Sequence, residues 1–267
     1  MPEGDTIHKL AAALAPRLVG QRIEAARLRH GEAGELIGQT VTAVSARGKH
    51  LFIELENGLT LRTHLGMYGS WHRYAPGEAW RKPAYQATVM IATASDVLVC
   101  FNAKELEWLG ERSIGRRDLL QRLGPDLLAA ELDLVALPAR VRELLEPATP
   151  FADILLDQRP ACGIGNAYKS ELLFLARRHP LTPLALLGDE ELCRVYALAR
   201  ELLARNLGGG PRVTRFAKDG AGRHWVYRRQ GQACFNCGTA IRRALLGRDQ
   251  RSSYWCPSCQ PSPAAKH

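Results

Sequence analysis

The sequence predicts an α+β protein: an N-terminal antiparallel β-sandwich with a flanking helix, then a helical half closed by a small cysteine-rich hairpin. Three observations carry this. Short alternating apolar runs separated by tight-turn residues fill the region from Val41 to Phe101. From Leu119 onward the apolar spacing changes to three and four, the helical period. Two Cys-x2-Cys pairs then stand eighteen residues apart near the C-terminus.

Each element follows in order. Ile7, Leu10, Ala11, Leu14 and Leu18 recur at helical steps, which predicts a helix over 6–18 with Asp5 as its N-cap. Pro16 is expected to kink or end its last turn, because proline lacks the N–H the helix needs. Val41 and Val44 open a strand region, and Leu51, Ile53 and Leu55 alternate with His50, Phe52 and Glu54. Asn57-Gly58 suits a type I′ turn, since both residue types tolerate positive φ, and Leu59, Leu61 and Thr63 return beyond it. A second hairpin is predicted at 89–94 and 97–101, turning at Ser95-Asp96. Gly124-Pro125 marks a stop. Helices are expected at 139–146, 150–158, 167–177 and 189–207, the last closed by Gly208-Gly209-Gly210. Residues 211–230 read as a basic loop.

The 267 residues suffice for a substantial core, and the 46% apolar and 24% charged fractions are those of a globular protein. No apolar run approaches the ~20 residues of a membrane helix. The nearest, Ala87 to Phe101, is interrupted by Ser95 and Asp96. No basic-then-apolar leader opens the chain, so a cytosolic location is expected. The net charge of +9 favours polyanionic partners, nucleic acid before acidic membrane. Seven cysteines, an odd number, argue against a disulfide scaffold; Cys100, Cys162 and Cys193 read as small buried hydrophobes.

Cys234, Cys237, Cys256 and Cys259 are the strongest chemical signal. Each CxxC places two thiolates on one knuckle, and two knuckles close a tetrahedral sulfur shell, which predicts one structural Zn2+ with no open position. A redox CxxC is the competing reading. Arg242, Arg243, Arg248 and Arg251 lie between the knuckles, where guanidinium groups suit a phosphate backbone. Gly163-Ile164-Gly165-Asn166 is the second signal: two glycines permit a tight double turn, and Asn166 can cap the next helix where N–H groups face an anion. Taken alone it is also an ordinary turn between helices.

These two stretches carry a resemblance. Residues 155–174 (LLDQRPACGIGNAYKSELLF) resemble the helix–two-turn–helix of the formamidopyrimidine-DNA glycosylase / endonuclease VIII family, and residues 226–260 resemble that family's C-terminal zinc finger. The start MPEGDTIHKL, Arg47-Gly48-Lys49-His50-Leu51-Phe52, His64-Leu65-Gly66-Met67-Tyr68-Gly69 and the segment 120–126 also fall on family motifs, in order. The resemblance covers nearly the whole chain. It implies a sandwich domain at 1–122, a linker at 123–132, a helix–two-turn–helix DNA-binding domain at 133–225, a zinc finger at 226–260 and a disordered tail at 261–267. It also implies damaged DNA as the partner of a monomer, with no membrane involved.

The implied reaction is excision of an oxidised base followed by cleavage of the abasic strand through β,δ-elimination. Pro2 is the implied nucleophile once Met1 is removed. The chemistry fits: an α-amine titrates at about 7.7–8.0, so roughly a tenth is neutral at pH 7, against roughly 1 in 2,000 for an ordinary lysine. A secondary amine attacking sugar C1′ also gives a cationic iminium, an electron sink for elimination. Glu3 is the implied acid/base. Lys49 matches the lysine that contacts phosphate and assists β-elimination, and Arg251 the zinc-finger arginine linked to δ-elimination. Arg122 and Asn166 match phosphate-binding positions. Met67 and Tyr68 occupy the wedge segment, where a thioether and a ring suit insertion into the gap left by a flipped nucleotide. A core pair at a strand end is the alternative for these two.

Two departures from the family pattern bear on substrate. The acidic residue often found four positions after the proline is Thr6 here. Where the 8-oxoguanine-type branch has an arginine-and-phenylalanine loop, this chain reads Asn102-Ala103-Lys104-Glu105. With the Pro2-Glu3-Gly4 start, this favours the endonuclease VIII side and oxidised pyrimidines. The lesion-contacting loop is expected over 208–223, with Arg212, Arg215 and Lys218. Two rival readings remain: a zinc-ribbon DNA-binding protein without catalysis, and a family member that keeps only abasic-site lyase activity.

Overall fold

The computed structural model describes residues 2–30, 33–110, 119, 122–217 and 219–263. The chain divides into two compact units, Met1–Gln121 and Arg122–His267.

The first unit opens with α1 (Gly4–Leu18), whose buried stripe is Ile7, Ala11, Leu14 and Leu18. The helix begins two residues before the sequence expectation. Its N-cap is Glu3, in extended backbone, and the Glu3 carbonyl accepts from Thr6 N–H at 2.9 Å and Ile7 N–H at 3.1 Å. Asp5 is therefore a fully buried residue of the first turn rather than the cap. Pro16 neither ends nor breaks the helix, which continues to Leu18. It lies on the exposed side near exposed Ala12, where water can satisfy the carbonyl that proline leaves without an N–H.

Two antiparallel sheets follow: β2 (Val41–Arg47), β3 (His50–Leu55), β4 (Leu59–His64) and β8 (Glu105–Gly110) in that order, and β1 (Ala25–Leu28), β6 (Ala87–Ala92), β7 (Val97–Phe101) and β5 (Ser70–Tyr74) in the other. Their inner faces share one core with α1, built from Ile7, Leu18, Ile23, Val41, Leu51, Ile53, Leu61, Val89, Ile91 and Leu98. Each such side chain withdrawn from water contributes about 1.5–3 kcal/mol. The β3–β4 turn differs from expectation. Register pairs Glu54 with Thr60, and only Gly58 takes positive φ (81°), so the hairpin closes with glycine alone in the left-handed position. The Asn57 side chain instead accepts the Leu59 N–H at 3.0 Å.

The second unit contains α2 (Leu137–Leu144), α3 (Phe151–Leu156), α4 (Asn166–Leu175) and α5 (Asp189–Arg205), followed by a hairpin of β9 (Arg242–Leu246) and β10 (Arg251–Trp255). The helices meet at Leu127, Val141, Phe151, Leu155, Tyr168, Leu172, Leu192, Tyr196 and Leu203. The hairpin has a far smaller core of its own with α4: Phe174, Val226, Cys234, Ile241 and Cys256. No helix among the described residues is long and apolar enough to cross a membrane. The expected tail lies partly outside the described residues, at 264–267.

Candidate functional site

In the first unit Pro2 is half-buried and Glu3 fully buried at the start of α1. Because the Glu3 backbone does the capping, its side chain is not spent on the cap. Thr6 Oγ donates to Asp5 Oδ1 at 3.3 Å, so the residue pair after Gly4 is tied together. Met1 lies outside the described residues.

Lys49 does not start a strand. Arg47 pairs with His50 across β2 and β3, leaving Gly48-Lys49 as a two-residue turn. Gly48 has φ 57° at the first central position, the geometry of a type II′ turn, which puts Lys49 at the tip. Sequence reasoning missed what lies beside it. His50, Arg62, His64, Glu105 and Glu107 come from three strands and share one face through the β3–β4–β8 register. Buried Arg62 places Nη1 2.6 Å from His50 Nδ1, Nη2 2.9 Å from Glu105 and 2.8 Å from Glu107. Arginine can only donate, so His50 Nδ1 is the acceptor. His64 Nδ1 stands 3.8 Å from Glu105, too far for a hydrogen bond.

Burial, with the charges of His64, Arg62 and Lys49 adding to it, pushes His50 down to about 3. Burial likewise takes His64 to about 4, Glu105 opposing. Burial works to raise Glu105, but its hydrogen bond to Arg62 and the neighbouring positive charges hold it below the usual range. Both folded-state histidine values lie under the unfolded value of about 6.5, so the unfolded chain binds protons that the folded one refuses. Stability is full above about pH 6.5 and falls as the pH drops from there toward 4 and below. The urea midpoint should be lower at pH 5 than at pH 7.5, and His50→Phe should shrink that difference. Equal midpoints at the two pH values would contradict this account.

Beyond β4 the Gly69 N–H donates to Leu65 O at 2.9 Å, closing a turn with Met67 and Tyr68 at its apex. They are 56% and 75% exposed, which rules out the core-pair alternative. Gly66, at φ 62°, allows Lys104 to lie against the turn, where a Cβ would come within 2.8 Å of Lys104 Cβ. The three-residue connection from β7 to β8 is tied down at each residue. Asn102 N–H donates to Gln86 O at 2.9 Å, Ala103 N–H to Thr88 Oγ at 3.0 Å and Lys104 N–H to His64 O at 2.9 Å.

In the second unit the expected double turn at Gly163–Asn166 leads into α4, but Gly165 is the N-cap and Asn166 the first helical residue. Asn166 is drawn off by the hairpin: its Nδ2 donates to Ser252 O at 2.8 Å and Ser252 Oγ at 3.1 Å. Fully buried Lys169 donates to Asn166 Oδ1 at 2.8 Å, Ser253 Oγ at 2.8 Å and Ser252 O at 3.2 Å. The turn beside Ser252 is held as well, by Asp153, whose Oδ2 accepts the Arg248 N–H at 3.0 Å. Gly247, at φ 77°, is required there, since a Cβ would collide with the Asp153 carboxylate. Arg251, the residue before Ser252, is thus exposed between two held points, Arg248 and Ser252. Arg122, at the start of this unit, is helical and exposed.

Glu171, also fully buried, accepts the N–H groups of Trp225 (2.7 Å), Val226 (2.9 Å) and Tyr227 (2.7 Å) and the Thr214 hydroxyl. Lys169 and Glu171 carry no sequence signal, because α4 is buried on nearly every side. Of the expected lesion-loop residues, Arg215 is 7% exposed and turned inward, while Arg212 lies over the Tyr168 ring at 4.9 Å. Lys218 lies outside the described residues.

The four cysteine sulfurs lie within 4.8 Å of one another. Cys234–Cys259, Cys237–Cys256 and Cys237–Cys259 are 3.9, 3.4 and 3.5 Å apart. A tetrahedron of thiolates at a Zn–S distance of about 2.3 Å has edges of about 3.8 Å, so the spacing and the all-sulfur donor set fit zinc.

The comparisons agree with this geometry. A family model described as the formamidopyrimidine-DNA glycosylase N-terminal domain matches residues 1–116, and one described as the formamidopyrimidine-DNA glycosylase H2TH domain matches 123–217. The chain is 38% identical to "Probable endonuclease 8 2" of Streptomyces coelicolor over 100% of its own length and 96% of that relative. It is 34% identical to "DNA-(apurinic or apyrimidinic site) lyase Nei2" of Mycolicibacterium smegmatis, over 97% of this chain and 99% of the relative. Among solved structures, the MutM (Fpg) protein of Thermus thermophilus superposes with a TM-score of 0.80 at 28% identity, covering 98% of this chain and 100% of that one. The Lactococcus lactis enzyme bound to abasic-site DNA has the same fold, with a TM-score of 0.80 at 22% identity over 97% and 100% of the two chains.

Proposed function

This chain belongs to the formamidopyrimidine-DNA glycosylase / endonuclease VIII family of base-excision-repair glycosylases and abasic-site lyases, and we propose that it acts on oxidised pyrimidines through the amine of Pro2. The observation that supports the mechanism best is the N-terminus itself: a half-buried proline followed by a fully buried glutamate whose side chain is not needed to cap the helix.

With Met1 removed, the Pro2 nitrogen attacks C1′ of the damaged nucleoside, Glu3 transfers a proton as the sugar ring opens, and the base departs. The iminium then accepts the electron pair released when a C2′ proton leaves, and the 3′ phosphate is expelled. A second elimination expels the 5′ phosphate, with Arg251 supplying positive charge. Lys49 on its turn and Arg122 and Asn166 in the second unit bind backbone phosphates. Asn166 contributes chiefly by fixing Ser252 and the hairpin, since its amide is engaged there. Met67 and Tyr68 fill the space vacated by the extruded nucleotide. Cys234, Cys237, Cys256 and Cys259 would hold one zinc ion, whose chemistry is structural: it ties two knuckles into one hairpin. The Asn102-Ala103-Lys104 connection supports the pyrimidine-directed branch.

Borohydride trapping tests the reading. Mature protein should be trapped on duplexes carrying either an abasic site or an oxidised pyrimidine. Trapping on neither would leave a DNA-binding protein without catalysis and sink the mechanism. A second reading, lyase activity without base excision, is favoured by the name of the Mycolicibacterium relative; trapping on the abasic site alone would establish it.

A further inference from the structure

Three connections of the sandwich meet at one end of the β2–β3–β4–β8 sheet. Register sets Arg47, His50, His64 and Glu105 side by side across the four strands as its terminal row. Lys49 stands on the turn between Arg47 and His50, the chain passes from His64 toward Met67 and Tyr68, and Asn102-Ala103-Lys104 arrives at Glu105. One row further in, Phe52, Arg62 and Glu107 are paired. Arg62, on β4, therefore lies diagonal to His50 on one neighbouring strand and to Glu105 on the other.

Both diagonals are bonded. Nη1 donates to His50 Nδ1 at 2.6 Å and Nη2 to Glu105 Oε2 at 2.9 Å, while Nε donates to Glu107 Oε2 at 3.2 Å within its own row. The Arg62 side chain is 3% exposed, and its planar fork fixes the direction of each bond. Displacing a partner strands a buried charge, which costs far more than opening a surface pair. Because His50 accepts at Nδ1, its proton sits on Nε2 and the ring carries no charge. The His64 ring lies 4.9 Å from it, centroid to centroid. The charge of Lys49 is among those that hold both histidines down, so its ammonium stands close to this row. An uncharged pair of rings does not repel it.

We propose that Arg62 is a positioning residue for strand cleavage: it braces the terminal row from both sides and thereby sets where Lys49 stands. This deepens the lyase reading and rests on the role given there to Lys49. Lysine carries its charge on a flexible four-carbon stem, so the place of the ammonium depends on how firmly its root is held. A two-residue turn takes its orientation from the ladder pair that closes it, here Arg47 and His50. Fixing the His50 side chain fixes that pair. As the phosphate is expelled, a cation already in position stabilises the developing charge without reorganising.

A double-mutant cycle in the mature full-length protein tests this, with single-turnover cleavage of a preformed abasic-site duplex as the readout. Arg62→Met should slow cleavage by about tenfold or more, within the ~10²-fold that a misplacement of about 1 Å can cost. The loss should appear in the rate at saturating protein rather than in the concentration needed for half-saturation. Lys49→Ala should slow the reaction at least as far. The double variant should be no slower than Lys49→Ala alone, because a brace has no effect once the group it places is gone. Glu107→Gln provides a second cycle that leaves Arg62 paired with Glu105 and strands no buried charge. Its smaller loss should also vanish in the Lys49→Ala background, and this cycle decides the matter should Arg62→Met lack a cooperative thermal transition. Losses that multiply with Lys49→Ala would mark a general structural role and overturn the proposal, and so would cleavage at the wild-type rate by Arg62→Met. Wild-type cleavage by Lys49→Ala would instead remove Lys49 from the mechanism, and this inference with it.

Discussion

Protein that keeps Met1, or any residue ahead of Pro2, is expected to form no borohydride-stable adduct with abasic-site DNA. With a residue attached, the Pro2 nitrogen is a tertiary amide whose lone pair is delocalised into the carbonyl, and it carries no proton to lose. Freed, it is a secondary amine of which roughly a tenth is neutral at pH 7. The loss should exceed about a thousandfold in trapping rate, larger than that for any acid/base residue, because nucleophilic attack precedes every later step. Two preparations identical except for their N-terminus, verified by intact mass, provide the check. Equal trapping by both would remove Pro2 from the mechanism. Glu3→Gln is the companion variant. The cap uses the Glu3 carbonyl and not its side chain, so α1 should be retained while excision falls by about 10²-fold or more, the range for a general acid.

Cys256→Ser should release the metal and, with it, the hairpin. Among the described residues the apolar cluster around the knuckles has only five buried members, two of them the cysteines Cys234 and Cys256, far too few to hold 226–260 unaided. Metal ligation supplies on the order of 10–16 kcal/mol to such modules. Once the hairpin opens, the bonds from Asn166 and Lys169 to Ser252 and Ser253 go with it, and Arg251 loses its fixed position. Affinity for abasic-site duplex should fall by about 100-fold or more, a loss of several phosphate contacts at once. The sandwich unit, which has a core of its own, should keep its cooperative thermal transition. Metal content by mass spectrometry and DNA binding on one sample decide the matter. A metal-free variant that binds DNA like the wild type would show that the hairpin stands without its ligands.

The contrast between what can and cannot be read from the sequence is physical. The alternation in 51–55 and the helical stripe of Ile7, Leu14 and Leu18 are one-dimensional signals of burial, and they match the sheets and α1. The CxxC pairs are legible because ligand spacing is a covalent constraint. Asp5 departs from expectation because capping is ordinarily a side-chain property, and here the backbone of Glu3 provides it. Asn57-Gly58 departs because composition suggests a turn type but register selects it. The His50–Arg62–Glu105 cluster joins residues far apart in sequence that meet only once strands pair, so no local pattern contains it. Lys169 and Glu171 look like solvent-facing helix positions until the hairpin covers them. Arg215 looks like a free cation for a ligand, yet its partners are Asp219 and Phe235.

The short span from β7 to β8 carries one more consequence. Asn102, Ala103 and Lys104 are each hydrogen-bonded back onto the sandwich, and Lys104 lies against Gly66. A connection of that length, secured at every residue, carries its three side chains on a backbone as fixed as the strands it joins.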